Sequence, residues 1–587
     1  MQPDSKQSRP AGKALHRVRL WYAALVLIGG IFIIRAFYLQ VIRHNHYKQA
    51  AISSQLKQYM IPAERGVIEA FDGNQTVPIV LNETRYTLFA DPQYIDKSEE
   101  VAGLIAGAIG GDSKQYKALM DQDTRYAVLA KKLTKEQKEK IDKLDLLGIV
   151  TSETPIRVYP QKDLAAQLLG FVNDEGEGKY GVEQYYDGEL KGTPGQMKAI
   201  TDAKGVPLVS NKDNVIEEPE MGKRVVLTID ISMQKQLEDI LKKGLKNARS
   251  DSGSAVIVDP NSGAVKAMAN YPTYNPAEFF KQKDGAVFTN NAVSSPLEVG
   301  SIMKPLTTAA ALDSGSVAAN ASYFDPGYFK IDDATIENVE EVRGAARRSV
   351  SDILKFSLNT GATWLLMQMG GGTVNEKARL TWHDYMTNHY QLGKNTGIEQ
   401  GYESGGTIPD PKDGYGLNIQ YANTSFGQGM TATPLQMAAA ISSVVNGGTY
   451  YKPHIVAQVK APGSESAVKQ PEVVRQNVVS PAVGKTIRGF METVVETNNY
   501  AAVRRGYSVG GKTGTAQIAK ATGGYYDDKF NGMYMGFVGG DKAEYVVVIR
   551  VNEPRIPGYA GSKAAGPIFA ETSNMLIDKF GVTPKTK

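Results

Sequence analysis

The first strong pattern along the chain is an uncharged, mostly apolar run from Leu20 to Ile34, broken by Arg35 and resumed from Ala36 to Ile42. A helix needs about 20 apolar residues to cross a bilayer. The run reaches that length only with its second part, and an arginine near a helix end can extend its head to the lipid headgroups. Lys6, Arg9, Lys13, Arg17 and Arg19 precede the run, so the positive-inside rule predicts a cytoplasmic N-terminus. A cleaved signal peptide shares such basic and apolar regions. Here, though, Arg35-Ala-Phe-Tyr-Leu-Gln does not read as a small-x-small cleavage site. The pattern predicts a retained single-pass anchor over 20–42, a tail over 1–19 inside the cell membrane, and the rest of the chain outside it.

Beyond the anchor the pattern becomes mixed. Ala102 to Ile109 and Lys131 to Leu147 read as helical, while Val67-Ile68 and Tyr86 to Ala90 read as extended. No catalytic constellation stands between residues 51 and 205, so this region reads as a spacer or interaction domain. Pro207 to Gly222 is polar with two prolines, as a linker is. A different texture starts at Lys223. Val225 to Asp230 is strand-like, and Ile231 to Ala248 carries apolar residues at helical spacing. Ser254 to Asp259 and Ala264 to Ala269 flank Pro260-Asn-Ser-Gly, a hairpin signal. Met533 to Val538 and Tyr545 to Val551 make a second hairpin around Gly539-Gly-Asp-Lys. Between the hairpins the pattern is mostly helical. Strands at both ends of a domain, with helices between, predict an α+β fold whose antiparallel sheet is closed by both ends of the domain.

Composition narrows the function classes. A chain of 587 residues accommodates two or three folded units, and 42% hydrophobic residues supply sizeable cores. The net charge is only +4 and no basic domain stands out, which argues against a nucleic-acid partner. Cysteine is absent, so thiolate catalysis, disulfides and cysteine-held metals are excluded. The six histidines show no metal-binding spacing, and no metal is predicted.

The chemistry concentrates in three short stretches. Ser301-Ile-Met-Lys304 follows Glu298-Val-Gly300 and opens an apolar helical stretch. Pro305 requires the helix to begin close to Ser301, because proline is tolerated in a first turn and not in the interior. Residues three apart share a helix face, so the lysine nitrogen can approach the serine oxygen. A serine needs a base to become a nucleophile, and lysine is a base only when neutral, which burial or a nearby cation favours. The helix N-terminus offers backbone N–H groups to an oxyanion. Alone, S-x-x-K is a weak signal, since a surface serine and lysine on one helix is the commoner case. Ser357-Leu-Asn359 follows a helical stretch and by itself reads as a helix end. Lys512-Thr-Gly-Thr515 follows Gly510-Gly511 and reads as a strand beside a groove, or as an ordinary strand with a bulge. Together, in this order, the three are the set of penicillin-binding proteins and class A β-lactamases.

With these motifs the chain resembles a class B penicillin-binding protein, a monofunctional peptidoglycan D,D-transpeptidase. The resemblance runs over nearly the whole length. It includes Glu64-Arg-Gly-Val-Ile-Glu, Arg157-Val-Tyr-Pro160, Gly181-Val-Glu-Gln-Tyr-Tyr-Asp, Gly427-Gln-Gly-Met-Thr-Ala-Thr-Pro-Leu-Gln436 and Asn446-Gly-Gly. It implies an elongated N-terminal pedestal or dimerisation-like domain with linker over 43–221. A serine β-lactamase-like transpeptidase domain, an antiparallel sheet with helices, is implied over 222–587. It implies catalytic roles for Ser301 as nucleophile, Lys304 as base, Ser357 and Asn359 in a proton relay and Lys512 as positive potential. Thr513, Gly514 and Thr515 are implied to bind substrate, the two threonines through its terminal carboxylate. The backbone N–H groups of Ser301 and Thr515 are implied to form the oxyanion hole.

The implied substrates are peptidoglycan stem peptides, and β-lactam antibiotics are implied to acylate the same serine. No cofactor is implied. The implied protein partner is a membrane glycan polymerase, with other divisome or elongasome proteins. Leu169-Gly-Phe-Val-Asn is closer to the division type than to the elongation or sporulation types. The rivals are a membrane-anchored β-lactamase and a non-catalytic β-lactam sensor or division scaffold. Ser-Leu-Asn in place of Ser-Asp-Asn, and the absence of the class A E-x-x-L-N pattern, favour the transpeptidase.

Overall fold

The computed structural model describes residues 12–45, 47, 56–200, 215–339, 342, 344–464, 468–520 and 523–586. The chain divides into two units, residues 1–63 with 193–220, and residues 64–192 with 221–587. The first unit contains the apolar N-terminal helix, Gly12–Phe37, which continues as a wider turn over Tyr38–Ile42. Its Val18–Ile42 segment, with mean hydropathy 2.2, is among the described residues the one helix long and apolar enough to cross a membrane. Arg35 lies 5.6 Å from the centre of the Tyr38 ring, a cation–π contact near the end of that segment. The same unit has a three-stranded antiparallel sheet, in which Leu56–Ile61 and Val215–Glu217 flank Gly195–Ile200. The stretch read as a linker over 207–222 is thus in part a strand. Residues 207–214 of it lie outside the described residues.

In the second unit, the N-terminal and C-terminal halves of the sequence share a sheet. Its path is Val456–Lys460, Arg224–Asp230, Ile68–Asp72, Gln75–Ala90 and Ala127–Leu133, and Ile149–Val158 also pairs with Gln75–Ala90. Ile68–Asp72 and Arg224–Asp230 run parallel, so the Glu64-Arg-Gly segment leads directly into the partner of the strand that opens the C-terminal half. The helix expected over Lys131–Leu147 is shorter than its charge pattern suggested. Ala127–Leu133 is a strand, and only Lys135–Asp142 is helical. The boundary is set by Thr134, whose hydroxyl accepts from the Gln137 N–H while the Gln137 side chain accepts from the Thr134 N–H.

The second sheet confirms the expected arrangement of strands from both ends of a domain. Its five strands run in the order Val265–Tyr271, Ser252–Val258, Ala543–Asn552, Tyr525–Gly539, Ser508–Ala519, all antiparallel. Both faces are covered. Along Ser252–Val258, Val256 and Val258 join the larger core with Ile302, Leu306 and Trp382. Ala255 and Ile257 join a second core with Leu237, Leu241, Ile568 and Phe569 of the flanking helices Ile231–Ala248 and Gly566–Lys579. Successive strand residues point to opposite faces, so a sheet buried on both sides reads as the continuous apolar run seen here. Ser508–Ala519 is an edge strand, and its face at Gly514 lies against the turn that carries Ser301.

Candidate active site

Ser301 lies on a tight 3-10 turn, Gly300–Met303, and Lys304 opens the helix Lys304–Asp313 with Pro305 in its first turn. The proline is where its missing N–H costs no hydrogen bond. The turn is pressed between two backbones. The Gly300 N–H donates to the Gly427 carbonyl at 2.9 Å. Gly427 has φ +87°, and a Cβ there would stand 2.1 Å from the Gly300 oxygen. Across the turn, a Cβ on Gly514 would stand 2.7 Å from the Val299 oxygen. Only glycine permits these approaches. This gives the Gly427-Gln-Gly stretch, legible in the sequence only as a family signature, a physical role as the seat of the Ser301 turn.

Lys304 is fully buried. Its Nζ lies 2.9 Å from Ser301 Oγ, 2.6 Å from the Ser357 carbonyl, 3.2 Å from Ser357 Oγ and 2.9 Å from Asn359 Oδ1. Asn359 opens the helix Asn359–Met369, and its Nδ2 donates to the Glu337 carbonyl at 3.1 Å, which turns Oδ1 toward the lysine. Ser357 adopts φ +55°, a left-handed conformation that is strained for a side chain with Cβ, by about 1–3 kcal/mol. Such strain persists where the surroundings fix it, and here the Ser357 carbonyl and hydroxyl both meet Lys304. Lys512, also buried, donates to Ser357 Oγ at 2.8 Å and to the Thr513 carbonyl at 3.0 Å.

Among the described residues, neither lysine pairs with a carboxylate. Burial, and next the positive Lys512, push the Lys304 amine well below its ordinary range. Burial brings Lys512 down to about 7. A neutral Lys304 has two N–H bonds and one lone pair. The Ser357 carbonyl and Asn359 Oδ1 can only accept, so they take the two N–H bonds. The lone pair is then left for the Ser301 hydroxyl, which is the geometry a general base needs.

On the edge strand, Thr513 and Thr515 share the half-exposed face while Gly514 and Ala516 are buried. Thr515 Oγ1 accepts from the Gly561 N–H at 3.0 Å, which leaves its hydroxyl proton for another acceptor. The structure thus brings Ser301, Lys304, Ser357, Asn359 and Lys512 into one hydrogen-bonded cluster, with Gly514 and Thr515 against the Ser301 turn and Thr513 Oγ1 3.4 Å from Lys512 Nζ. Glu298, three residues before Ser301, was not singled out in the sequence. Its Oε1 accepts from the Tyr525 hydroxyl at 2.7 Å and the Gly429 N–H at 2.9 Å, so it ties the segment before Ser301 to the Tyr525–Gly539 strand and to the Gly427-Gln-Gly stretch. Burial raises its carboxyl above the ordinary value. Its only local signal was a carboxylate next to a candidate nucleophile.

The chain is similar to known proteins in sequence and in fold. A family described as the penicillin-binding protein transpeptidase domain matches residues 253–574. The penicillin-binding protein dimerisation domain matches residues 60–227. The chain is 30% identical over 579 residues to the stage V sporulation protein D of Bacillus subtilis, covering 97% of this chain and 87% of that one. It is 26% identical over 607 residues to the peptidoglycan D,D-transpeptidase FtsI of Escherichia coli K12, covering 100% of this chain and 96% of that one. The fold is similar to the crystal structure of penicillin-binding protein 2X from Streptococcus thermophilus. That likeness has a TM-score of 0.72 at 23% identity and covers 89% of this chain and 80% of that one.

Proposed function

The chain belongs to the class B penicillin-binding proteins, and we propose that it cross-links peptidoglycan as a D,D-transpeptidase through an acyl-enzyme on Ser301. The observation that carries this reading is the buried Lys304 amine, bonded at once to Ser301, Ser357 and Asn359 and, among the described residues, with no acid beside it. In the first half-reaction, Ser301 Oγ attacks the carbonyl of the D-Ala-D-Ala bond while its proton passes to Lys304. The tetrahedral oxyanion is held by the N–H groups of Ser301 and Thr515. Collapse breaks the peptide bond, and the proton passes from Lys304 to the departing D-alanine nitrogen, with the Ser357 hydroxyl as relay and Asn359 holding Lys304 in place. In the second half-reaction, an amine of a neighbouring stem attacks the ester and loses its proton to Lys304. The ester breaks, and Ser301 takes that proton back. Lys512, Thr513 and Thr515 receive the terminal carboxylate, and the open edge of the strand with Gly514 accepts the extended stem peptide.

Under this reading, residues 222–587 form the catalytic part and 43–221 the pedestal. The N-terminus lies in the cytoplasm and the site outside the cell membrane. A multispanning glycan polymerase is the partner of the anchor and N-terminal region. The division role rests on Leu169-Gly-Phe-Val-Asn and on the likeness to FtsI, and it competes with the likeness to a sporulation protein. A fluorescent fusion gathered at the septum of growing cells supports it. A fusion seen only in sporulating cells overturns it.

Transpeptidase and β-lactamase share the first chemical step, so the second step separates them. Penicillin is expected to leave a covalent adduct that persists in intact-mass spectra and maps to the peptide containing Ser301. Stem peptide with an acceptor amine is expected to give cross-linked product. Rapid multiple turnover of penicillin would favour the lactamase instead.

A further inference from the structure

Between Lys304 and Ser357 the chain makes two short hairpins, Ser322–Asp325 with Ala346–Ser349 and Tyr328–Ile331 with Ala334–Glu337. Most of their residues are half-buried or exposed, yet they enclose a polar cluster that is almost fully buried. Asp325, Asn338 and Thr360 are 0%, 2% and 0% exposed. Asp325 Oδ1 accepts from the Gly327 N–H at 2.9 Å. Its Oδ2 accepts from the Thr360 hydroxyl at 2.8 Å and from Asn338 Nδ2 at 3.2 Å. Asn338 Oδ1 in turn accepts from the Thr360 N–H at 3.1 Å. Among the described residues, no lysine or arginine balances the Asp325 charge. A buried carboxylate without a cation is costly unless several donors hold it, and here three do.

The cluster is adjacent in sequence to the atoms that orient the base. Glu337, next to Asn338, supplies the carbonyl that takes Asn359 Nδ2. Thr360, next to Asn359, is held at both its N–H and its hydroxyl. The same cluster therefore anchors the amide acceptor and the amide itself. If either shifts, Asn359 loses the contact that turns Oδ1 toward Lys304.

We propose that Asp325 is a positioning residue for acylation: through Thr360 and Asn338 it fixes the Glu337 carbonyl against Asn359, and so sets the side-chain orientation that directs Lys304 at Ser301. This inference rests on the reading of Lys304 as the base. Asp325 itself touches no reacting atom. The hairpins, otherwise an insertion between two motifs, become the scaffold of the second one.

The test measures penicillin acylation rates across pH for the full chain and for Asp325→Asn, Asn359→Ala and the double variant, with thermal melts to confirm folding. Asp325→Asn is expected to slow acylation on the order of 10–100-fold. In the Asn359→Ala background it should add less than about twofold, because the two act through one contact. The pH profile supplies a readout that a merely structural role does not move. Lys304 faces Ser301, Ser357, Asn359 and the cation of Lys512, and among these Asn359 Oδ1 favours the protonated amine. Losing that acceptor lowers the Lys304 pKa, so the acid limb should move to lower pH while the plateau falls. Additive losses with an unmoved acid limb overturn the proposal. If Asn359→Ala alone leaves acylation unchanged, it is the assignment of the base cluster that fails. Should Asp325→Asn not fold, Thr360→Val removes the same hydroxyl bond and is read by the same criteria.

Discussion

Lys304→Arg is expected to fold as the wild type does and to acylate on the order of 10²–10⁴-fold more slowly, the usual contribution of a positioned base. The reason is the proton inventory. The Ser357 carbonyl and Asn359 Oδ1 absorb two N–H bonds, and the lone pair of a neutral amine serves Ser301. A guanidinium offers five N–H donors and no lone pair, and it does not lose its proton in a protein. Hydrogen-bond donors remain, while the base is gone. Ser301→Ala should abolish the adduct entirely with the fold intact. Rates come from stopped-flow or intact-mass labelling with a penicillin. Near wild-type labelling of Lys304→Arg means that another group takes the proton, and a persisting adduct on Ser301→Ala means that Ser301 is not the nucleophile.

Glu183→Gln should destabilise the chain by about 3–5 kcal/mol, the usual cost of removing one member of a buried ion pair. Glu183 is fully buried. Its Oε2 takes Arg65 at 2.7 Å and its Oε1 takes Arg157 at 2.7 Å. Arg65 keeps a second acid, Asp187 at 2.8 Å, so the loss falls on Arg157. The amide keeps one uncharged acceptor oxygen where the carboxylate had two charged ones, so that guanidinium loses its counter-charge, and among the described residues one of its nitrogens already has no partner. Urea unfolding should show the lower midpoint, with penicillin acylation of the folded fraction unchanged. Adding Arg157→Met should recover much of the loss, since the stranded cation is then gone. A double variant as unstable as Glu183→Gln alone would assign the effect to packing.

This ion cluster shows where sequence reading stops. Its members come from Glu64-Arg-Gly, Arg157-Val-Tyr and Gly181-Val-Glu, all visible as family stretches and none with a role apparent from its neighbours. Arg65 and Glu183 stand 118 positions apart. Nothing in local periodicity relates them. The same holds for Asp325 and Thr360, 35 positions apart, which no local pattern relates. The helix expected over Lys131–Leu147 failed for a related reason. Its charged residues suit an exposed helix face and an exposed strand face alike, and pairing with Gln75–Ala90 made the first part a strand.

What the sequence determined by itself was the content recorded in near neighbours. A run of apolar residues sets the length of the N-terminal helix, alternation and turn residues set the hairpins, and Pro305 sets where the helix behind Ser301 begins. Motif order named the candidate residues through a resemblance, since spacing alone carries no distances between Ser301, Ser357 and Lys512. The tertiary structure decided what surrounds Lys304. Whether Lys304 is a base depends on burial, on a second buried lysine and on acceptors from a separate helix, and each of these exists only once distant segments have packed together and excluded water.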